Sequence, residues 1–105
     1  MSRVYHVSRK KTYEASQFTV NNGVSNYDVK TTASMFESVT QAHFTEIRTT
    51  QDISVKLNST SNNSIQIAST DSPYSINPGN LGLIVRNVYI SNASGVNSTV
   101  DIALT

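Results

Sequence analysis

Cysteine and tryptophan are both absent from this 105-residue chain. Without cysteine no disulfide can staple the fold, so its stability must come from one compact apolar core. The same absence excludes thiol catalysis and thiolate metal sites, and it agrees with assembly in a reducing cytoplasm. Glycine is scarce. Gly23, Gly79, Gly82 and Gly95 stand apart in turn-like contexts, and no Gly-x-Gly-x-x-Gly or phosphate-cradling loop is formed. No acidic calcium loop occurs. No apolar run approaches the roughly 20 residues of a spanning helix. The longest, Leu81 to Ile90, contains Arg86 and Asn87 and has strand length. The opening Met-Ser-Arg-Val-Tyr-His-Val-Ser-Arg-Lys-Lys has no apolar stretch behind its basic residues, so it does not read as a secretory signal.

Strand formers dominate what is present. Val, Ile, Thr, Tyr and Phe number 39, against 27 for Ala, Leu, Glu, Lys, Gln, Met and Arg, which argues against a helical bundle. Ser, Thr and Asn together also number 39, which implies many short turns and a polar, weakly charged surface. Four N-x-[ST] sites, at Asn58, Asn62, Asn92 and Asn97, are about what this composition gives by chance, so no glycosylation is read from them.

The net charge of +1 hides an asymmetry. Residues 1–11 hold Arg3, Arg9, Lys10 and Lys11 and no acid. The remainder has four basic and seven acidic residues, a net of −3. A short basic arm ahead of a mildly acidic body is either a terminus kept soluble by its charges, a dock for an acidic neighbouring subunit or a nucleic-acid contact. Four cations without interleaved aromatics make a poor nucleic-acid footprint.

Residues 1–16 read as this extended arm, and residues 17–105 as one domain. From Gln17 a period of two begins, with Phe18 and Val20 on one face. Asn21-Asn22-Gly23 is a turn signal, and Val24 to Thr31 reads as the second strand of a hairpin. Ala33 to Thr40 reads as a loop with a helical turn over the core. His43 to Thr49 is a strand with broken alternation. Ile53 to Leu57, Ile65 to Ile67 and Tyr74 to Ile76 alternate cleanly. In Leu81 to Ile90, Leu83 and Val85 share one phase and Val88 and Ile90 the other, so either a bulge near Arg86-Asn87 puts both pairs on the core face or both faces are covered there. Asn92 to Gly95 turns the chain into a last strand carrying Val100, Ile102 and Leu104. About eight short strands spaced in this way predict an all-β fold. The expected form is an antiparallel β-sandwich or jelly-roll-like small barrel with an extended N-terminal arm.

Catalytic chemistry is thinly supplied. His6 lies in the arm and His43 opens a strand. His43 and Glu46, three apart on a strand, point to opposite faces. Glu14, Asp28, Glu37, Glu46, Asp52, Asp71 and Asp101 sit beside turns or on wet faces. No metal, cofactor or catalytic residue is assigned, and an enzyme is not expected. Tyr5, Tyr13, Tyr27, Tyr74 and Tyr89 are the aromatics available for stacking a sugar, with Tyr74 and Tyr89 read as half-buried.

The segments Asp-Ile-Ser-Val-Lys-Leu, Ser-Ile-Gln-Ile-Ala, Ser-Pro-Tyr-Ser-Ile-Asn-Pro-Gly-Asn-Leu, Val-Tyr-Ile-Ser-Asn-Ala-Ser-Gly and Thr-Val-Asp-Ile-Ala-Leu lie between Asp52 and Leu104. They resemble small β-sandwich proteins of tailed-phage virions, among them capsid decoration proteins and tail or fibre accessory domains. The likeness covers about half of the chain and rests on short strands, Asn/Ser/Gly turns and the Val-Tyr-Ile-Ser-Asn-x-Ser-Gly hairpin. It implies a structural virion protein, foremost a capsid decoration or cement subunit. Its partners would be the major capsid protein or other virion subunits. It would be a homo-oligomer, a trimer by preference, assembled in the host cytoplasm without a membrane or nucleic-acid partner. The alternative is a tail or fibre adhesion module that binds glycans. The arm residues Arg3, Tyr5, Arg9, Lys10 and Lys11 are the expected partner contacts.

Overall fold

A computed structural model describes residues 13–76 and 84–105. Its strands are β1 (Glu14–Val20), β2 (Tyr27–Asp28), β3 (Thr45–Thr49), β4 (Ile53–Leu57), β5 (Ile65–Ile67), β6 (Tyr74–Ile76), β7 (Val88–Ser91) and β8 (Ser98–Leu104). One helical turn, α1 (Val29–Thr32), follows β2, and a 3-10 turn spans Ser69–Asp71.

The strands form two four-stranded antiparallel sheets, β1-β8-β3-β6 (sheet I) and β2-β7-β4-β5 (sheet II). The pairs β1 with β8, β2 with β7, β3 with β6 and β4 with β5 are those of one long hairpin. That hairpin is wound so that its segments alternate between two layers. Ladders between β3 and β8 and between β4 and β7 join successive coils. This is jelly-roll connectivity. No ladder joins the two named sheets among the described residues, and the all-β fold is a two-sheet sandwich.

The core lies between the layers. Ile47, Ile102 and Leu104 point inward from sheet I, and Val55, Ile67 and Ile90 from sheet II. Each such side chain contributes about 1.5–3 kcal/mol by leaving water. Along β4 and β8 every second residue is buried, which is the alternation the sequence displays.

Several local expectations are corrected. The 17–20 and 24–31 segments do not form a hairpin. β1 belongs to sheet I and β2 to sheet II, so Asn21-Asn22-Gly23 is a corner between layers, with Gly23 at φ 89°. Asn92 to Gly95 is likewise a corner, because β7 and β8 lie in different sheets. Of the turns read from the sequence, 58–63 joins strands that pair with each other, β4 and β5.

The 24–31 strand is cut to two residues. Asp28 caps a helical turn there by accepting the Thr31 N–H at 3.1 Å, and this local bond competes with ladder pairing. Residues 33–40 are a loop without a helical turn of their own; the turn falls at α1 instead. Met35, Phe36 and Val39 nonetheless plug the core.

The break at Arg86-Asn87 is observed. Val85, Val88 and Ile90 are all buried although their numbering changes phase. Asn58 Oδ1 holds the break by accepting N–H groups from Arg86 (2.6 Å) and Asn87 (3.3 Å). β1 begins at Glu14, inside the range read as arm.

Candidate interaction surface

The expected contacts Arg3, Tyr5, Arg9, Lys10 and Lys11 lie outside the described residues, as do Leu81 and Leu83. The other candidates are dispersed. His43 is exposed just before β3, where its N–H donates to the Thr105 carbonyl. Tyr74 packs half-buried against the core, while Tyr89 faces outward from β7, between Asp28 and Lys56 in register. Tyr13 is the most exposed described aromatic, at 63%. No group of three or more metal-ligating side chains occurs among the described residues.

The outer face of sheet I is built by the strand period. Inward residues of β1, β8 and β3 fill the core, so Ala15, Gln17 and Thr19, then Thr99, Asp101 and Ala103, then Glu46 and Arg48 face out. The register sets Gln17, Asp101 and Arg48 in one row and Ala15, Ala103 and Glu46 in the next. A shallow depression of about 440 Å³ crosses this face, with Tyr13 at its lip. Its ion pair, Arg48 Nε to Glu46 Oε1 at 3.8 Å, is largely exposed and adds little to stability. A second depression, about 340 Å³, lies on sheet II and is lined by Asp52, Ser54, Gln66, Ser91 and Ser94. Both are open hollows, suited to contact and not to enclosing a small substrate.

β1 is the edge of sheet I, and the direction of its backbone groups follows from its neighbours. Thr105 exchanges hydrogen bonds with Phe44, and Thr99 O accepts from Thr50 N. The odd-numbered residues of β8 therefore bond toward β3, and the even-numbered ones toward β1. Glu14, Ser16, Phe18 and Val20 pair with those even residues. The N–H and C=O groups of Ala15, Gln17 and Thr19 thus point away from the sheet, and none meets a partner among the described residues.

Glu14 closes the start of this edge. Its Oε1 accepts the N–H groups of Glu37, Ser38 and Val39, each at 3.1 Å. The 36–39 loop, entered through Phe36 at φ 62°, forms a backbone nest around that carboxylate. Farther along, Phe18 stacks on Tyr27 with ring centroids 5.2 Å apart, packing β1 against the edge of sheet II. Sequence reasoning anticipates exposed edges with few charges to block them, but does not place the open edge at β1 and misses the nest. Glu14-Ala15-Ser16 continues the period of two, but its small and polar side chains hide the strand.

No family model matches the chain, and no curated protein matches it. Among solved structures it is similar to the solution NMR structure of a de novo designed double-stranded beta-helix. The sequence identity is 16% and the TM-score 0.49, with 85% of this chain and 95% of that chain covered.

Proposed function

We propose that this chain is a structural subunit of a larger assembly, in its most concrete form a virion protein of the capsid decoration or cement type. It would bridge neighbouring major capsid proteins on the outside of the head and resist their separation. The observation that carries this reading is the outer surface of sheet I. Small and polar residues form an open face bounded by β1, whose outer edge has no partner among the described residues, and a basic segment precedes that strand in the sequence. Such a surface suits protein contact better than catalysis. Jelly rolls recur in viral capsids, which supports the reading by analogy of fold alone.

A specific contact of this kind needs on the order of 1,000 Å² of buried surface. The arm residues Arg3, Tyr5, Arg9, Lys10 and Lys11 would extend the contact as a clamp on an acidic neighbour. The chain would act as a homo-oligomer in the virion, without a cofactor. The test is occupancy on purified capsids by cryo-microscopy. The full chain is expected to decorate the lattice, and a variant lacking residues 2–11 to lose most of its density. Unlabelled particles would remove the capsid role.

The depression on sheet II favours a second reading, a tail or fibre module that binds glycans. Its serines, Gln66 and Asp52 are the polar groups a sugar would need. Hits on a glycan array that vanish on Gln66→Ala, together with absence from heads, would favour that reading.

A further inference from the structure

We propose that β1 pairs antiparallel with β1 of a second copy of this chain. The twofold axis passes through Gln17, and the two sheets I become one continuous sheet. Among the described residues the four sheet edges differ sharply. β2, β5 and β6 span two or three residues each, whereas β1 runs for seven. Short strands are one of the means by which natural sheets blunt an edge. Lysine, proline and bulges are others, and β1 has none of them. Its one charged residue, Glu14, has its carboxylate turned into the 37–39 backbone nest.

The edge is also self-complementary. The residues whose backbone groups have no partner among the described residues are Ala15, Gln17 and Thr19, spaced symmetrically about Gln17. Antiparallel pairing of two such edges sets Gln17 against Gln17 and Ala15 against Thr19. Each of these pairs exchanges both backbone hydrogen bonds. Outward side chains stay outward and inward ones inward, and no like charges face each other.

Charge supports a second copy as the occupant. Residues 1–11, which precede β1 in the sequence, hold four cations and no acid. The partner's residues 12–105 carry seven acids against four bases. An edge that pairs with itself closes at two copies, so the pairing departs from the threefold that the phage resemblance implies. The inference goes beyond the proposed capsid role and stands without it. A dimer that ignores capsids would sink that role alone, and a monomer that decorates them would sink this inference alone.

The absence of native cysteine makes the register directly testable. Hydrogen-bonded antiparallel partners have Cα atoms about 5.5 Å apart, within the roughly 4.4–6.8 Å that a disulfide spans. Gln17→Cys is therefore expected to cross-link two copies under mild oxidation. Ala15→Cys alone is not, because the two Ala15 positions lie about 14 Å apart in this register. An equimolar mixture of Ala15→Cys and Thr19→Cys is expected to give the mixed dimer. All three positions are exposed or outward-facing, so these variants should fold.

In light scattering, the unmodified chain is expected to be a dimer at roughly 100 μM. Gln17→Lys, which sets two cations across the axis, should raise the dissociation constant at least tenfold, and mixing it with Gln17→Glu should restore pairing. A monomeric or trimeric mass overturns the proposal. So does equal cross-linking through Ala15→Cys alone, or a Gln17→Lys variant that dimerises unchanged.

Discussion

Asn92 is only 1% exposed, yet its side-chain polar atoms are all engaged. Nδ2 donates to the Val20 carbonyl at 2.9 Å and the Val96 carbonyl at 2.8 Å, and Oδ1 accepts the Ser94 N–H at 3.0 Å. Two corners that lie far apart in sequence are thereby bolted together at one end of the sandwich. The bolt is strengthened by the bond from Gly23 N–H to the Asn92 carbonyl. Asn92→Ala removes hydrogen bonds from the buried Val20 carbonyl and from the part-buried Val96 carbonyl and Ser94 N–H, each costing about 1–3 kcal/mol where water cannot replace the partner. A loss of about 2–4 kcal/mol in urea unfolding is expected. A loss below about 1 kcal/mol would mean that water fills the site. The sequence showed Asn92 only as a turn residue within an N-x-[ST] triplet. Its role was not legible because two of the groups it serves, Val20 and Gly23, lie about seventy residues earlier.

Elements whose buried positions are apolar were readable: β4, β5, β6 and the Val100, Ile102 and Leu104 part of β8 sit where the alternation placed them. β3 was blurred because Thr45 and Thr49 are inward positions filled by polar side chains. Thr49 Oγ1 is matched by Ser98 Oγ at 2.8 Å across the ladder. β2 was overextended because Asp28 takes the chain into α1. That cap also makes β2 sensitive to pH. The side-chain hydrogen bond from Asn87, at 2.9 Å, is the main cause of a lowered Asp28 pKa, with backbone bonds adding to it against the cost of burial. A carboxylate held below its unfolded value, about 3.9, contributes stability that is complete above that value. The contribution is lost as pH falls through the folded one. Burial acts in the opposite direction on Tyr27, whose pKa is raised. Its contribution is intact below about pH 10 and is lost as pH climbs through the folded value. In urea midpoints measured against pH, Asp28→Asn should flatten the decline below about pH 4. Tyr27→Phe should remove the decline above pH 10 while keeping the stack on Phe18. Unchanged acid and alkaline limbs in these variants would place the titrating groups elsewhere.

At the scale of the molecule, winding one long hairpin into two layers explains why the topology escaped a reading that joined neighbouring strands. Turn chemistry reports where a chain bends and not which layer it enters next, so Asn21-Asn22-Gly23 and Asn92-Ala93-Ser94-Gly95 looked like hairpin turns. The same winding sets the folding rate. Glu14 pairs with Leu104 and Tyr27 with Ile90, whereas Ile53 with Ile67 is a local pairing. Loop-closure entropy opposes the distant pairs until the local one has formed. Folding should therefore be slow, on the order of milliseconds to seconds, with the β4–β5 hairpin structured in the transition state and the β1–β8 ladder forming late. Ile67→Val and Ile102→Val each remove one methylene from a buried site and should cost about 0.5–1.5 kcal/mol. In stopped-flow chevrons Ile67→Val is expected to slow folding and leave unfolding nearly unchanged, and Ile102→Val to speed unfolding and leave folding nearly unchanged. The reverse assignment would mean that the fold nucleates where its first and last strands meet, with the local hairpin as a late addition.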